Sequence, residues 1–217
     1  MRLWYRGWQY VAQVLYSAFF NVRVFGRENV PLEGPVLLVS NHQSYLDPVL
    51  CGVGLARELD YIARDSLFQN PLFAWYIRSL NAFPIHRARA DITALRTIVE
   101  RLQRGRAVVL FPEATRTRNG RIKPIKGGFE LIARRAGATT VPVVIDGAFE
   151  VWPRHQGITS MGPIRVMYGR GITSRQAARM SREDFVQLIN RRLRQMQQEL
   201  RRRYGKRPYN YEKEDDG

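Results

Sequence analysis

The sequence predicts an α/β fold: a single domain with a largely parallel central sheet flanked by helices, preceded by an N-terminal amphipathic helical segment. Three observations carry this. Short β-branched and leucine-rich runs (VLLV at 36–39, AVVLF at 107–111, VPVVI at 141–145) have the length and composition of buried strands. Helical periodicity separates them, most clearly in Ile92, Leu95, Ile98, Val99 and Leu102. The chain has 217 residues, 45% of them hydrophobic and 25% charged, which suits a self-sufficient core and excludes a disordered or collagenous chain.

Residues 1–25 hold eight aromatic residues, Arg2, Arg6 and Arg23, and no acid. Leu3, Trp4, Trp8, Val11, Leu15, Ala18 and Phe19 recur near helical spacing. Arginine with Trp and Tyr on a moderately apolar helix suits the headgroup layer of a bilayer. We read 1–25 as a membrane-contacting helical segment; the alternative is a terminal helix packed on the core. No apolar run reaches the roughly 18 residues of a membrane span, and no signal-peptide pattern is present.

Residues 26–205 read as the α/β domain. Val36–Val39 is a strand after Gly34-Pro35, Pro48–Leu55 a short helix, and Leu59–Ala63 a strand. Pro71–Leu80 reads as a helix with Leu72, Trp75, Tyr76 and Leu80 on one face. Phe83–Ile85 is a strand, and the helix begun near Ile92 stops at Gly105. Ala107–Phe111 is a strand, Phe129–Ala136 a helix closed by Gly137, and Thr140–Ile145 and Ile164–Tyr168 are strands. Ser181 opens the last helix with Asp184 three residues on, and its apolar face is Phe185, Leu188, Ile189, Leu193, Met196 and Leu200. The tail, 206–217, is expected to be disordered.

Charge narrows the partners. Lys+Arg number 35 against 19 Asp+Glu, a net +16, and 31 of the bases are Arg. Such a balance points to anionic partners: nucleic acid, acidic lipid or a phosphorylated substrate. It concentrates in 1–25, in 113–126 with five bases against one acid, and in 182–207. The single cysteine, Cys51, excludes an internal disulfide, and three scattered histidines give no metal-ligand spacing. No G-x-S-x-G elbow, P-loop or G-x-G-x-x-G fingerprint is present.

In parallel sheets, sites form beyond the carboxyl ends of strands. After Val39 comes Ser40-Asn41-His42-Gln43-Ser44-Tyr45-Leu46-Asp47-Pro48. His42 and Asp47 can meet only if the chain turns between them, and Pro48 favours that turn by starting a helix with Asp47 at its N-cap. A carboxylate on one imidazole nitrogen leaves the other as a base. Plain capping by Asp47 is the competing reading. After the 107–111 strand, Glu113, Thr115, Arg116 and Lys126 lie in an arginine-rich loop suited to phosphate. Arg87 follows the 83–85 strand as a second anion contact.

Together these blocks resemble the glycerolipid acyltransferases, which acylate glycerol phosphate and lysophosphatidate. NHQSYLD (41–47) matches their H-x4-D block, FPEATRT (111–117) is similar to F-P-E-G-T-R, FPIHR (83–87) to the block ending in Arg, and VPVVI (141–145) to the fourth. Ala114 departs from the usual Gly, and His86 stands where an acid is often found. A positive φ at 114 would cost of order 1 kcal/mol with Ala.

The resemblance implies acyl transfer from a thioester (acyl-CoA or acyl carrier protein) to the hydroxyl of lysophosphatidate, the thioester being a co-substrate and no cofactor or metal being needed. It implies that His42 is the general base and Asp47 its partner. Arg116 and Arg87 would hold the acceptor phosphate, with Thr115 and Lys126 as further contacts. Glu113 would touch the acceptor or brace the loop, and Pro142 would shape the strand edge beside the acyl site. The expected location is peripheral, on the cytoplasmic face of an anionic membrane. Alternatives are another lysolipid acceptor, a membrane-surface adaptor and, in a different class, a basic nucleic-acid-binding protein. The last helix lacks aromatics between Phe185 and Tyr204, which argues against nucleic acid.

Overall fold

The computed structural model describes residues 1–85, 92–157 and 160–211. Along the chain run α1 (Leu3–Phe20), β1 (Arg23–Phe25), β2 (Val36–Ser40), α2 (Asp47–Leu50), β3 (Leu59–Arg64), α3 (Pro71–Ser79), β4 (Ala82–Ile85) and α4 (Ile92–Gln103). They continue with β5 (Ala107–Leu110), α5 (Gly128–Ala136), β6 (Thr139–Asp146), α6 (Ala148–Val151), β7 (Arg165–Tyr168), α7 (Ser174–Ala178) and α8 (Arg182–Arg203). The strands form one sheet in the order β1-β7-β6-β2-β5-β3-β4. All neighbours pair in parallel except β6 with β7.

Alternation along β2 divides the core. Leu37 and Val39 face a cluster built with Ile98 and Leu102 of α4, Phe129 and Ile132 of α5, and Phe185 and Ile189 of α8. Val36 and Leu38 face the other side, with Phe20, Leu46, Leu50, Ala148 and Val151. All five β2 residues are buried, as a strand covered on both faces requires. The expected strands and the helices around them are present, and the Ser181 hydroxyl caps α8 by accepting from the Asp184 N–H at 3.0 Å.

The apolar face of α3 turns outward at Leu72, 78% exposed, and Trp75, 63% exposed, while Ala74 is the buried residue. Three expectations need correction. The N-terminal segment is helical only to Phe20, because Arg23–Phe25 pairs with β7 and joins the sheet. Pro142 sits inside β6, an interior strand, opposite Val39 of β2. Finally, residues 206–211 of the expected tail pack on the domain, and 212–217 lie outside the described residues. Gly205 takes a positive φ of 67° as α8 ends, and the Lys206 N–H returns to the Arg201 carbonyl at 2.8 Å. This closing turn folds the tail back onto the domain and buries Tyr211.

Candidate active site

β2 and β5 are neighbours at the centre of the sheet, and the loops leaving their carboxyl ends diverge. The β2 loop enters α2 on one face, whereas the β5 loop runs to α5 on the other. The crevice between two such loops is the usual ligand position in an open α/β sheet.

The turn between His42 and Asp47 forms. His42 Nδ1 lies 2.7 Å from Asp47 Oδ2, and Asp47 is fully buried. Asp47 is the first residue of α2 rather than its N-cap, so the capping reading fails. Its carboxylate instead reaches back: Oδ2 also accepts the N–H groups of Gln43 at 2.6 Å and Ser44 at 2.8 Å. An oxygen already accepting two N–H groups is an acceptor for a third, so Nδ1 is the donor to Asp47, and in the neutral imidazole Nε2 keeps its lone pair. The His42 ring is stacked on Phe111, centroids 4.3 Å apart, which fixes its plane.

The β5 loop is tied to this dyad through the backbone. Glu113 is buried; its Oε1 accepts the His42 N–H at 3.0 Å and its Oε2 the Lys123 N–H at 3.2 Å. The Thr117 N–H donates to the His42 carbonyl at 2.8 Å. Glu113 thus braces the two loops, one of the two roles expected of it. Burial pushes its carboxyl up to about 7, against the pull of the two N–H groups and of Lys123. Ala114 has a φ of 60°, the left-handed conformation that glycine adopts freely.

Arg116 is half-buried beside the dyad loop, its guanidinium carbon 3.4 Å from the centroid of the Tyr45 ring. One of its terminal nitrogens, Nη1, is buried with no hydrogen-bond partner among the described residues. Thr115 is exposed and accepts from Lys123 Nζ at 3.3 Å. The Lys126 side chain is exposed, and its backbone N–H donates to the Pro112 carbonyl at 3.4 Å. His86 and Arg87 lie outside the described residues. The strand that leads to them, β4, is two strands from β5, about 10 Å at ordinary spacing. Among the described residues, no cluster of three or more metal-ligating side chains occurs.

The acyltransferase family profile matches residues 21–146, which include both loops of the crevice. The chain belongs to the acyltransferase family. It is 29% identical over 170 residues to a chloroplastic 1-acyl-sn-glycerol-3-phosphate acyltransferase of Arabidopsis thaliana, covering 76% of this chain and 48% of the relative. A second relative, the 1-acyl-sn-glycerol-3-phosphate acyltransferase of Bacillus subtilis, is 24% identical over 193 residues, or 87% of this chain and 94% of its own. The chain therefore spans about half the length of the plant relative and nearly all of the bacterial one. The crystal structure of the 1-acyl-sn-glycerophosphate acyltransferase of Thermotoga maritima superposes with a TM-score of 0.80 at 26% identity, covering 91% of this chain and 79% of that one.

Sequence reasoning about this acyltransferase missed two supports of its site. Gln43 buries a side chain whose Nε2 donates to the Gly120 carbonyl at 2.9 Å and whose Oε1 accepts the Phe149 N–H at 3.2 Å. Asn41 joins β2 to β6 by exchanging two hydrogen bonds with the Ile145 backbone, at 2.8 and 2.9 Å. Both flank His42 in the 41–47 block, and a polar residue directly after a buried strand was the available signal.

Proposed function

We propose that this acyltransferase moves an acyl group from a thioester, acyl-CoA or acyl carrier protein, to the free hydroxyl of lysophosphatidate, giving phosphatidate. The observation that carries the proposal is the His42–Asp47 pair, with Nε2 left as a base at the mouth of the crevice. The acceptor hydroxyl gives its proton to Nε2 as its oxygen bonds to the thioester carbonyl carbon. Asp47 stabilises the resulting imidazolium through Nδ1–H. Collapse of the tetrahedral oxyanion breaks the C–S bond, and the imidazolium returns the proton to the departing thiolate. Base catalysis of this kind contributes about 10²–10⁴-fold. The thioester is a co-substrate, and the scheme calls on no metal. Arg116 is the proposed phosphate ligand, supported by its buried, unpartnered nitrogen beside the dyad loop. The names of the relatives support lysophosphatidate as the acceptor.

The proposed location is the surface of an anionic bilayer. No helix among the described residues is long and apolar enough to cross a membrane. α1 is docked through a polar seam. The Tyr5 hydroxyl accepts the Leu59 N–H at 3.1 Å, and Gln9 donates to the carbonyls of Gly52 and Leu55 at 2.7 and 2.8 Å. Tyr5 and Phe20 are buried, but most of the apolar residues of α1 point away from the domain: Leu3 is 89% and Tyr10 68% exposed, with Val11, Val14, Leu15 and Phe19 also open. Trp4 and Trp8 meet Trp75 and Tyr76, which joins α1 to the outward face of α3. A contiguous apolar face on a chain of net +16 fits insertion among acidic headgroups.

The test is thiol release from acyl-CoA and acyl carrier protein with a panel of lysolipids and glycerol phosphate. The proposal expects turnover with lysophosphatidate above all other acceptors. Turnover only with a lysolipid lacking the phosphate monoester would overturn the acceptor, and none with any of them the reaction.

A further inference from the structure

Residues 206–211 are wired into the catalytic loop. After α8, the turn at Gly205 sends residues 206–211 back along the helix. The Arg201 Nε donates to the Arg207 carbonyl at 2.8 Å, and the Gln198 amide to the Tyr209 carbonyl at 3.1 Å. Tyr211 is buried, and its hydroxyl does two things: it accepts the Ile122 N–H at 3.0 Å and donates to the side-chain carbonyl of Gln197. The Gln197 amide then donates to the Gly120 carbonyl at 3.0 Å and to Asp146 at 3.3 Å. That same Gly120 carbonyl takes the second donor from Gln43, whose own backbone N–H is held by Asp47. The path Tyr211–Gln197–Gly120–Gln43–Asp47 is therefore a continuous run of hydrogen bonds from the tail to the dyad. Gly120 has a φ of 81°, and the Tyr209 hydroxyl occupies the space a side chain there would need.

We propose that Tyr211 and Gln197 are positioning residues for acyl transfer. They set the 120–122 segment, and through it Gln43, so that Asp47 stays aligned on His42. This rests on the reading of His42–Asp47 as the catalytic pair. The physical reason is the cost of an incomplete buried network. Every donor in the path has a partner, and losing one hydroxyl orphans the Ile122 N–H and the Gln197 carbonyl together. The Gln197 amide is then free to turn, and the Gly120 carbonyl loses one of its two donors. A displacement of 1 Å at a reacting group is enough to cost about 10²-fold in rate.

The test uses the full chain carrying Tyr211→Phe, which keeps the ring and removes the hydroxyl, and separately Gln197→Met. Two readouts are taken: steady-state kinetics with lysophosphatidate and acyl-CoA, and the imidazole ¹⁵N resonances of His42. Positioning predicts a kcat about tenfold lower, KM for both substrates within twofold, and a folded protein by circular dichroism. It also predicts that the Nδ1-protonated tautomer of the native protein gives way to a mixture. A kcat unchanged in Tyr211→Phe, or one that falls while the His42 tautomer stays as in the native protein, would overturn the proposal. If the native protein turns over none of the lysolipids, the acyl-transfer reading fails, and the ¹⁵N comparison alone still decides whether the tail positions His42.

Discussion

Ala114→Gly should make the protein more stable, the opposite of what replacing alanine by glycine does in ordinary backbone. Ala114 holds a φ of 60° in the β5 loop and is exposed, so its methyl group is not part of the core. The left-handed conformation costs a residue with a Cβ about 1–2 kcal/mol. Glycine avoids that cost but makes the unfolded chain freer, which takes back about 0.4–1 kcal/mol. The net expectation is about 1 kcal/mol of added stability, a rise of about 2–4 °C in Tm for a domain of this size. Thermal melts and urea titrations of the two proteins measure it, and the urea slope should not change, since the same surface is exposed on unfolding. Acyl transfer should stay within about threefold of the native rate, because Glu113 and Thr117 hold the loop on either side of position 114. A lower Tm for the variant would refute the reasoning, because it would mean that the loop has no strain to release.

Three further outcomes are expected. Arg116→Ala should raise KM for lysophosphatidate about 10- to 100-fold, the worth of a charged hydrogen bond, and leave KM for the acyl donor near its native value; equal effects on both substrates would remove Arg116 as the phosphate ligand. Burial raises the Glu113 carboxyl from 4.5 to about 7, so the folded state binds its proton more tightly than the unfolded chain does. Stability from this group is complete below pH 4.5 and is lost as pH rises through 7, a decline of roughly 3 kcal/mol. Urea titrations from pH 4.5 to 8 should show Glu113→Gln gaining on the native protein by up to that amount, and parallel pH profiles would contradict it. The double variant Leu3→Ser/Leu72→Ser changes two exposed side chains and should leave the fold intact. At about 1 kcal/mol or more per leucine withdrawn from water, it should bind anionic vesicles at least tenfold more weakly in flotation, and unchanged flotation would exclude this face from the membrane.

The parallel sheet was legible because a strand buried on both faces is written as an unbroken apolar run, as in residues 36–39 and 141–145. The short strand β1 was not, because its partner β7 lies some 140 residues away and three residues carry no period. Periodicity located α3 and its apolar face but not which way that face turns. A period of 3.6 says only that one face differs from the other, and α3 packs through Ala74 while Trp75 points out. The His42–Asp47 pair could be read because Pro48 forces a turn between residues that a helix would hold apart. The partners of Glu113 could not, since they are backbone N–H groups, which leave no trace in side-chain identity. The packing of residues 206–211 was missed for a similar reason: KRPYNY looks polar, and Tyr211 is held by Gln197 of α8 and by the backbone of Ile122, 89 residues away.

The central claim is that two loops at the carboxyl edge of the sheet present His42 Nε2 as the base for attack on a thioester. The most direct measurement is thiol release from acyl-CoA with lysophosphatidate, comparing the native protein with His42→Ala after circular dichroism has matched their folds. The account predicts robust release by the native protein and a loss of at least 10² in kcat for the variant. A folded His42→Ala protein that keeps near-native turnover would contradict it.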